Sequence, residues 1–254
     1  MIKKVATNKY FLTFLGLGLF FLIWLVLYFI AGSSQAIFPN PWETIKQAAI
    51  YLGDSYTYLC IWGSLKRMLI GFAVGSISAL LVGIIVGNYT SLKYVFKPSI
   101  IAIKAIPTAA LVFLFLVLAG LKNAPIYIVV IIVFPIVYEA TVAGYTNIDP
   151  YMLMAARVDG AKRIKSNIFV RFPLATPYII VGLLSSFALS FKIEIMVEVI
   201  SGSSSYGLGR AINVAYINSS NGMVPTFAYS LIAIVIMLLV TGAIDLIKKF
   251  IKKA

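Results

Sequence analysis

The sequence contains no histidine and a single cysteine, Cys60. A disulfide within the chain is therefore excluded, and so are metal sites of the usual Cys/His kind and histidine-based catalysis. Acidic residues are also scarce, with 8 Asp and Glu against 21 Lys and Arg, and charged residues make up only 11% of the 254 residues. Soluble domains average about 25% charged residues. This composition does not suit a water-soluble fold.

What the chain does contain is apolar sequence, 61% of its residues. The long apolar runs predict an all-α integral membrane protein, with one transmembrane domain over residues 1–254. The first run is about 22 residues long, more than the 7–15 residues of a signal-peptide core, so a retained helix is predicted, with cleavage as the alternative. The six predicted spans cover residues 10–31, 64–87, 98–119, 126–145, 174–200 and 226–247.

The basic residues are distributed unevenly between the two sides of these six spans. If the N-terminus is cytoplasmic, 14 of the 21 Lys and Arg fall in inner segments, 5 in outer segments and 2 within spans. Lys and Arg collect on the cytoplasmic side of membrane proteins. The bias therefore predicts that both termini are cytoplasmic, and the clusters are explained by topology without a nucleic-acid partner.

The longest polar stretch after the first third of the chain is the loop at residues 149–173. Asp149 suits an N-cap and Pro150 suits the first turn of a helix, so a short helix is predicted to end near Gly160. A second short basic helix is predicted to run to Pro173. Such a knob on the cytoplasmic face suits docking to a soluble partner. The alternative is a solvated basic loop that only obeys the positive-inside rule.

Small residues recur every four positions in the second predicted span, at Gly71, Gly75, Ala79, Gly83 and Gly87. This spacing keeps them on one slowly turning face, where another helix backbone can approach closely. The stripe predicts a tightly packed bundle.

The 149–173 loop resembles the EAA loop of permease subunits from binding-protein-dependent ABC importers. The family pattern is Glu-Ala-Ala, three residues, Gly, nine residues and then Ile-x-Leu-Pro. Here Ala155 and Ala156 precede Gly160 by that spacing, and an apolar-x-apolar-Pro run ends in register at Pro173. One position departs from the pattern, because Met154 replaces the glutamate.

The resemblance covers roughly residues 60–250 and is similar to the branch for nitrate, sulfonate, taurine and bicarbonate, with relatives for vitamin-precursor heterocycles. Glu198 matches an acidic residue of that branch, and Gly207 and Gly209 match a following GxG. The resemblance implies a type I importer fold in a bacterial cytoplasmic membrane. It also implies cytoplasmic ATPase subunits that bind the 149–173 loop, a second permease subunit and an extracytoplasmic binding protein.

No cofactor is predicted in this chain, because it lacks the P-loop pattern GxxxxGK[ST]. ATP and magnesium are expected on the partner ATPase. Three alternatives to an importer permease are an ATP-independent carrier or channel, a membrane enzyme and a structural subunit. The chain shows no convincing internal repeat of the kind found in carriers, and no acid–base pair at motif spacing for an enzyme.

Several charged residues fall within the predicted spans, where each would cost about 2.5–3.5 kcal/mol at a helix centre facing lipid. One hypothesis is that Lys104 and Lys192 line the solute path, with Glu194 and Glu198, and favour an anion. The alternative is that the two lysines pair with Glu139 and Glu194 or extend to the membrane surface.

Overall fold

The computed structural model describes residues 9–32, 38–158, 166–202, 206–218 and 222–251. Within these ranges the chain forms nine α-helices and one π-helical turn, and no strand. The helices are α1 (Lys9–Ile30), α2 (Pro41–Leu52), α3 (Ser55–Asn88), α4 (Thr90–Ala105), α5 (Thr108–Thr146), α6 (Pro150–Val158), α7 (Phe172–Ser201), α8 (Leu208–Ile217) and α9 (Val224–Ile251). The π-helical turn, Asn167–Arg171, runs directly into α7.

Four segments of the described chain are long and apolar enough to cross a membrane: Ser55–Asn88, Thr108–Thr146, Asn167–Ser201 and Val224–Ile244. In α1 a shorter apolar stretch, Gly18–Ile30, adds a fifth hydrophobic segment. The all-α membrane fold is thereby confirmed, whereas the count of six spans is not.

The predicted third span, 98–119, is not a single helix. It is interrupted where α4 ends at Ala105, because Pro107 has no amide hydrogen and α5 begins only after it, at Thr108. A second break lies inside α5, where Gly120 has φ 73° and ψ 166°. Glycine suits this conformation because it has no Cβ. Residues 98–119 therefore consist of two short helical pieces.

The small-residue stripe of α3 packs against α5, as the four-residue spacing predicted. A methyl group added at Gly71 would lie 2.8 Å from the Cβ of Val129, and one added at Gly87 would lie 2.6 Å from the Cβ of Tyr145. Large apolar side chains occupy the opposite face of α3 and are exposed, namely Val74, Ile77, Leu81 and Ile85. Such a helix has one face for close packing and one for lipid.

The hydrophobic core has two main parts. The larger part lies between α3, α5 and α7 and includes Ala79, Val133 and Val197. The second lies where α2, α8 and α9 meet α3 and α7, around Cys60 and Phe191. The helix α7 runs antiparallel to α3 and to the second half of α5, whereas α3 and that half of α5 run parallel. The C-terminus of α5 and the start of α7 therefore share one end of the bundle, which carries α6. The end of α7 and the whole of α8 lie toward the opposite end.

Candidate functional site

A buried cluster of charges joins α3 to the second half of α7. Arg67 Nε donates to Glu194 Oε1 at 3.0 Å, and Arg67 Nη2 forms a very short contact with Glu198 Oε1. Glu194 and Glu198 are one helical turn apart, so both carboxylates reach the same guanidinium. Both glutamates are fully buried and the Arg67 side chain is 11% exposed. The arginine therefore provides the counter-charge for two carboxylates in the core of the bundle.

The start of α8 completes this cluster. Gly209 N donates to Glu198 Oε2 at 2.8 Å, and Leu208 N donates to Ser64 Oγ at 2.8 Å. Ser64 Oγ in turn donates to the Glu198 carboxylate, 2.7 Å from Oε2. A carboxylate at a helix N-terminus is stabilised by the unpaired amides there. Glu198 therefore ties α3, α7 and α8 together.

Glycine suits both sides of Leu208, because α7 and the Arg67 side chain approach the backbone closely there. A methyl group at Gly209 would lie 2.5 Å from Glu198 Cβ, and one at Gly207 would lie 2.6 Å from Arg67 Nη2. The GxG match made from the sequence thus coincides with a packing requirement.

The cluster is structural in its geometry, since the two carboxylates are enclosed and hydrogen-bonded. Truncating one partner of a buried ion pair costs about 3–5 kcal/mol, because it leaves the other charge uncompensated. One oxygen, Glu194 Oε2, is buried and has no hydrogen-bond partner in the described part of the chain. The guanidinium of Arg67 already binds both carboxylates, so the cluster offers no free positive charge for an anion.

The sequence predicted Glu194 and Glu198 along a solute path and offered Lys192 as a partner for Glu194. The structure instead pairs Glu194 with Arg67 and leaves Lys192 exposed on α7. Arg67 was missed as a site residue because it was counted with the charges at the outer edge of a span starting at Ser64. In the structure α3 begins at Ser55, so Arg67 lies about 18 Å into the helix.

Lys104 lies in the half of the bundle that carries α6, away from this cluster. Its Nζ is 2.9 Å from both carboxylate oxygens of Glu139. The side chains are 49% and 47% exposed, so the pair faces outward from this single chain. The alternative in which Lys104 pairs with Glu139 is therefore the one that the structure contains.

The 149–173 loop begins with the predicted short helix, α6. Asp149 Oδ1 accepts a hydrogen bond from Tyr151 N at 2.9 Å, which caps the helix start as the sequence indicated. Met154, which replaces the family glutamate, lies in this helix and is 58% exposed. Ala155 and Ala156 also lie in α6, whereas Gly160 lies outside the described residues.

Pro173 does not end a separate helix as predicted. It is the second residue of α7, whose first turn continues the π-helical turn without a break. Because Pro173 has no amide hydrogen to donate to the preceding turn, it interrupts the regular α-helical hydrogen bonding, and the turn directly before it is π-helical. The loop therefore joins directly onto a membrane-spanning helix.

Comparison with known proteins identifies the family. A family model described as "Binding-protein-dependent transport system inner membrane component" matches residues 79–253. The chain belongs to this family. A probable ABC transporter permease protein of Brucella melitensis is 29% identical over 213 residues, covering 83% of this chain and 84% of the relative. A putative molybdenum transport system permease protein of Bacillus subtilis is 40% identical over 58 residues, covering 23% of this chain and 26% of the relative.

Among solved structures, an inward-facing form of the MetNI methionine ABC transporter superposes with a TM-score of 0.65 at 16% sequence identity, covering 76% of this chain and 95% of that chain. At that identity the likeness concerns the fold, which is that of an ABC importer permease. The chain is thus a multi-pass permease subunit of an ABC importer in the inner membrane, and subunits of this family are not themselves enzymes.

Proposed function

We propose that this permease moves a small anion into the cytoplasm, that an extracytoplasmic binding protein delivers the anion, and that separate ATPase subunits dock on the 149–173 loop and drive transport. A second permease subunit, either the same chain or a paralogue, completes the pore. The charge bias supports a cytoplasmic position for α6 and for both termini.

The observation that carries the docking part of this proposal is the surface of α6. It is a capped helix outside the spanning segments, yet Tyr151 is 79% exposed, Met152 52% and Met154 58%. A merely solvated loop does not require apolar side chains on its surface, whereas aromatic residues and methionine are enriched where proteins bind each other. Met154 offers the ATPase an apolar side chain at the position where the family pattern has a glutamate.

A matched pair of tyrosines tests this docking. The tagged permease is purified from membranes with its ATPase, and ATP hydrolysis by the complex is measured. Tyr151→Asn should weaken ATPase attachment by about tenfold or more, because an interface tyrosine is often among the residues that dominate binding. Tyr94→Asn is the control, since Tyr94 is similarly exposed, at 73%, but lies on α4.

Bulky side chains provide a second test. Replacing Ala155, Ala156 and Gly160 by tryptophan, one at a time, should also release the ATPase. If all three variants and Tyr151→Asn keep full ATPase attachment, the loop is not the docking site. Solute uptake by the permease in vesicles without any ATPase would instead favour an independent carrier.

A further inference from the structure

One face of α4 carries three lysines. Lys93, Lys97 and Lys104 are four and seven residues apart, a spacing that returns to the same side of a helix. At 1.5 Å per residue they span about 16 Å along the helix. Lys93 lies near the end of the bundle that carries α6, and Lys104 lies deeper. We call these three residues the lysine row.

Two members of the lysine row line one cavity, and that cavity shares lining residues with a second. Lys93 and Lys97 line a cavity of about 380 Å³ between α4 and α5, together with Glu139 and Ala143. Glu139 and Ala143 also line a second cavity, of about 650 Å³, between α5 and α7. Glu139, whose carboxylate binds Lys104, therefore lines both cavities.

The half-exposed Lys104–Glu139 pair does not suit a lipid-facing surface. A charged residue at a helix centre costs about 2.5–3.5 kcal/mol when it faces lipid, and both members of this pair remain about half exposed after pairing. Charges at this depth usually face the bundle interior or a water-filled cavity. Charged residues within membrane-spanning segments often mark the path of a substrate or ion.

We propose that Glu139 is a built-in counter-ion within an anion-selective, water-filled passage bordered by the lysine row. Glu139 neutralises Lys104 while the passage is empty, and the transported anion then replaces Glu139 as the partner of Lys104. Three lysines and one glutamate leave a net charge of +2 along the passage, and such a field raises the local concentration of anions. This inference rests on the proposed function and specifies the charge of its solute.

Cysteine accessibility tests the proposal without knowledge of the solute. Ala143, on the wall shared by both cavities, is replaced by cysteine in the purified permease–ATPase complex. The native Cys60 is fully buried and adds little background. The rates of reaction with a negatively charged and a positively charged methanethiosulfonate reagent are then compared. Their ratio measures the electrostatic potential at the shared wall.

Ala143→Cys should react with both reagents and favour the anionic one. Adding Glu139→Gln should raise the anionic-to-cationic rate ratio by about tenfold, because one negative charge leaves the passage. Adding Lys104→Gln should lower the ratio. The control is Val117→Cys in α5, because Val117 is 86% exposed and is expected to face lipid.

Two results would overturn the proposal. One is an Ala143→Cys variant as unreactive as Val117→Cys, because the wall shared by the two cavities would then be covered by protein or lipid. The other is a rate ratio that Glu139→Gln leaves unchanged. If Glu139→Gln fails to assemble, Lys104→Gln and the exchanged pair Lys104→Glu with Glu139→Lys replace it, and the exchanged pair should leave the ratio within about twofold of the starting value. A complex without ATP hydrolysis would count against the proposed function instead, since the rate ratio does not depend on hydrolysis.

Discussion

Arg171 Nη1 donates a hydrogen bond to Asn88 Oδ1 at 2.9 Å, and it thereby joins the entry to α7 to the last residue of α3. The two residues are 83 positions apart in sequence. Arg171 belongs to the π-helical turn at the end of the 149–173 loop. If an ATPase moves this loop, the bond transmits part of the displacement to α3.

Asn88→Ala removes the acceptor, and a hydrogen bond to a charged group contributes about 1.5–3 kcal/mol, with the lower value expected at this partly buried site. We expect normal ATPase attachment but a smaller ATP-dependent change in the reactivity of a cysteine placed at Ala143. The reaction rate of that cysteine with and without ATP measures the effect. Asn88→Asp, which retains an acceptor for Arg171, is the control and should preserve the change. An Asn88→Ala complex with an undiminished response to ATP would show that the bond does not transmit motion.

The two glutamates that bind Arg67 should differ in their sensitivity to the same substitution. Glu198 accepts from Ser64, Arg67 and Gly209, so Glu198→Gln places an amide group against donors and should destabilise the protein by about 2–3 kcal/mol. Glu194→Gln can keep the Oε1 acceptor for Arg67 and replaces only the oxygen that has no partner among the described residues. Its cost should be below about 1 kcal/mol.

Thermal unfolding in detergent distinguishes these variants. The midpoint temperature should fall by about 5–10 °C for Glu198→Gln and by no more than a few degrees for Glu194→Gln. Equal shifts in the two variants would contradict the hydrogen-bonding pattern around Glu198.

The glycine stripe of α3 gives a third prediction. A methyl group at Gly83 would lie 2.8 Å from Thr141 Cβ, which is closer than real Cβ atoms approach, so Gly83→Ala should force α3 and α5 apart. Overpacking of this kind costs about 1–3 kcal/mol. Gly242→Ala in α9 is the matched control, because nothing lies within 4 Å of its added methyl group. Yield and unfolding temperature in detergent should fall for the first variant only; equal behaviour would mean that α3 and α5 do not pack as closely as described.

Features that depend on local sequence were predictable. The lengths of the apolar runs predicted membrane helices. The four-residue spacing of glycine and alanine predicted the packing face of α3. The cap at Asp149 is likewise a matter of adjacent residues. The breaks at Pro107 and Gly120 were missed because apolar content continues through both of them, and hydropathy does not report backbone direction.

Features that depend on distant pairing were not predictable. Arg67 and Glu194 are 127 residues apart, and no periodic pattern connects them. One signal was available, because unpaired charges within a membrane are energetically costly. Two glutamates on one helix face therefore require a nearby cation, and Lys192 lies on a different face of α7. Lys104 and Glu139 were proposed as partners because both needed one, but the position of Glu139 on the wall of two cavities follows only from the arrangement of α4, α5 and α7.

Cys60 should serve as an internal reporter of folding. It is the only cysteine in the sequence, and in α3 it is fully buried in the core formed with α8 and α9. A fully buried thiol is inert because a reagent in water cannot reach it. We expect a water-soluble maleimide to leave Cys60 unmodified in the folded permease and to modify it fully after denaturation in dodecyl sulfate. Cys60→Ser is the control for non-specific labelling. Rapid labelling of the purified, ATPase-competent complex would contradict the packing of α8 against α3, because Leu208 and Ala211 of α8 belong to the same core as Cys60.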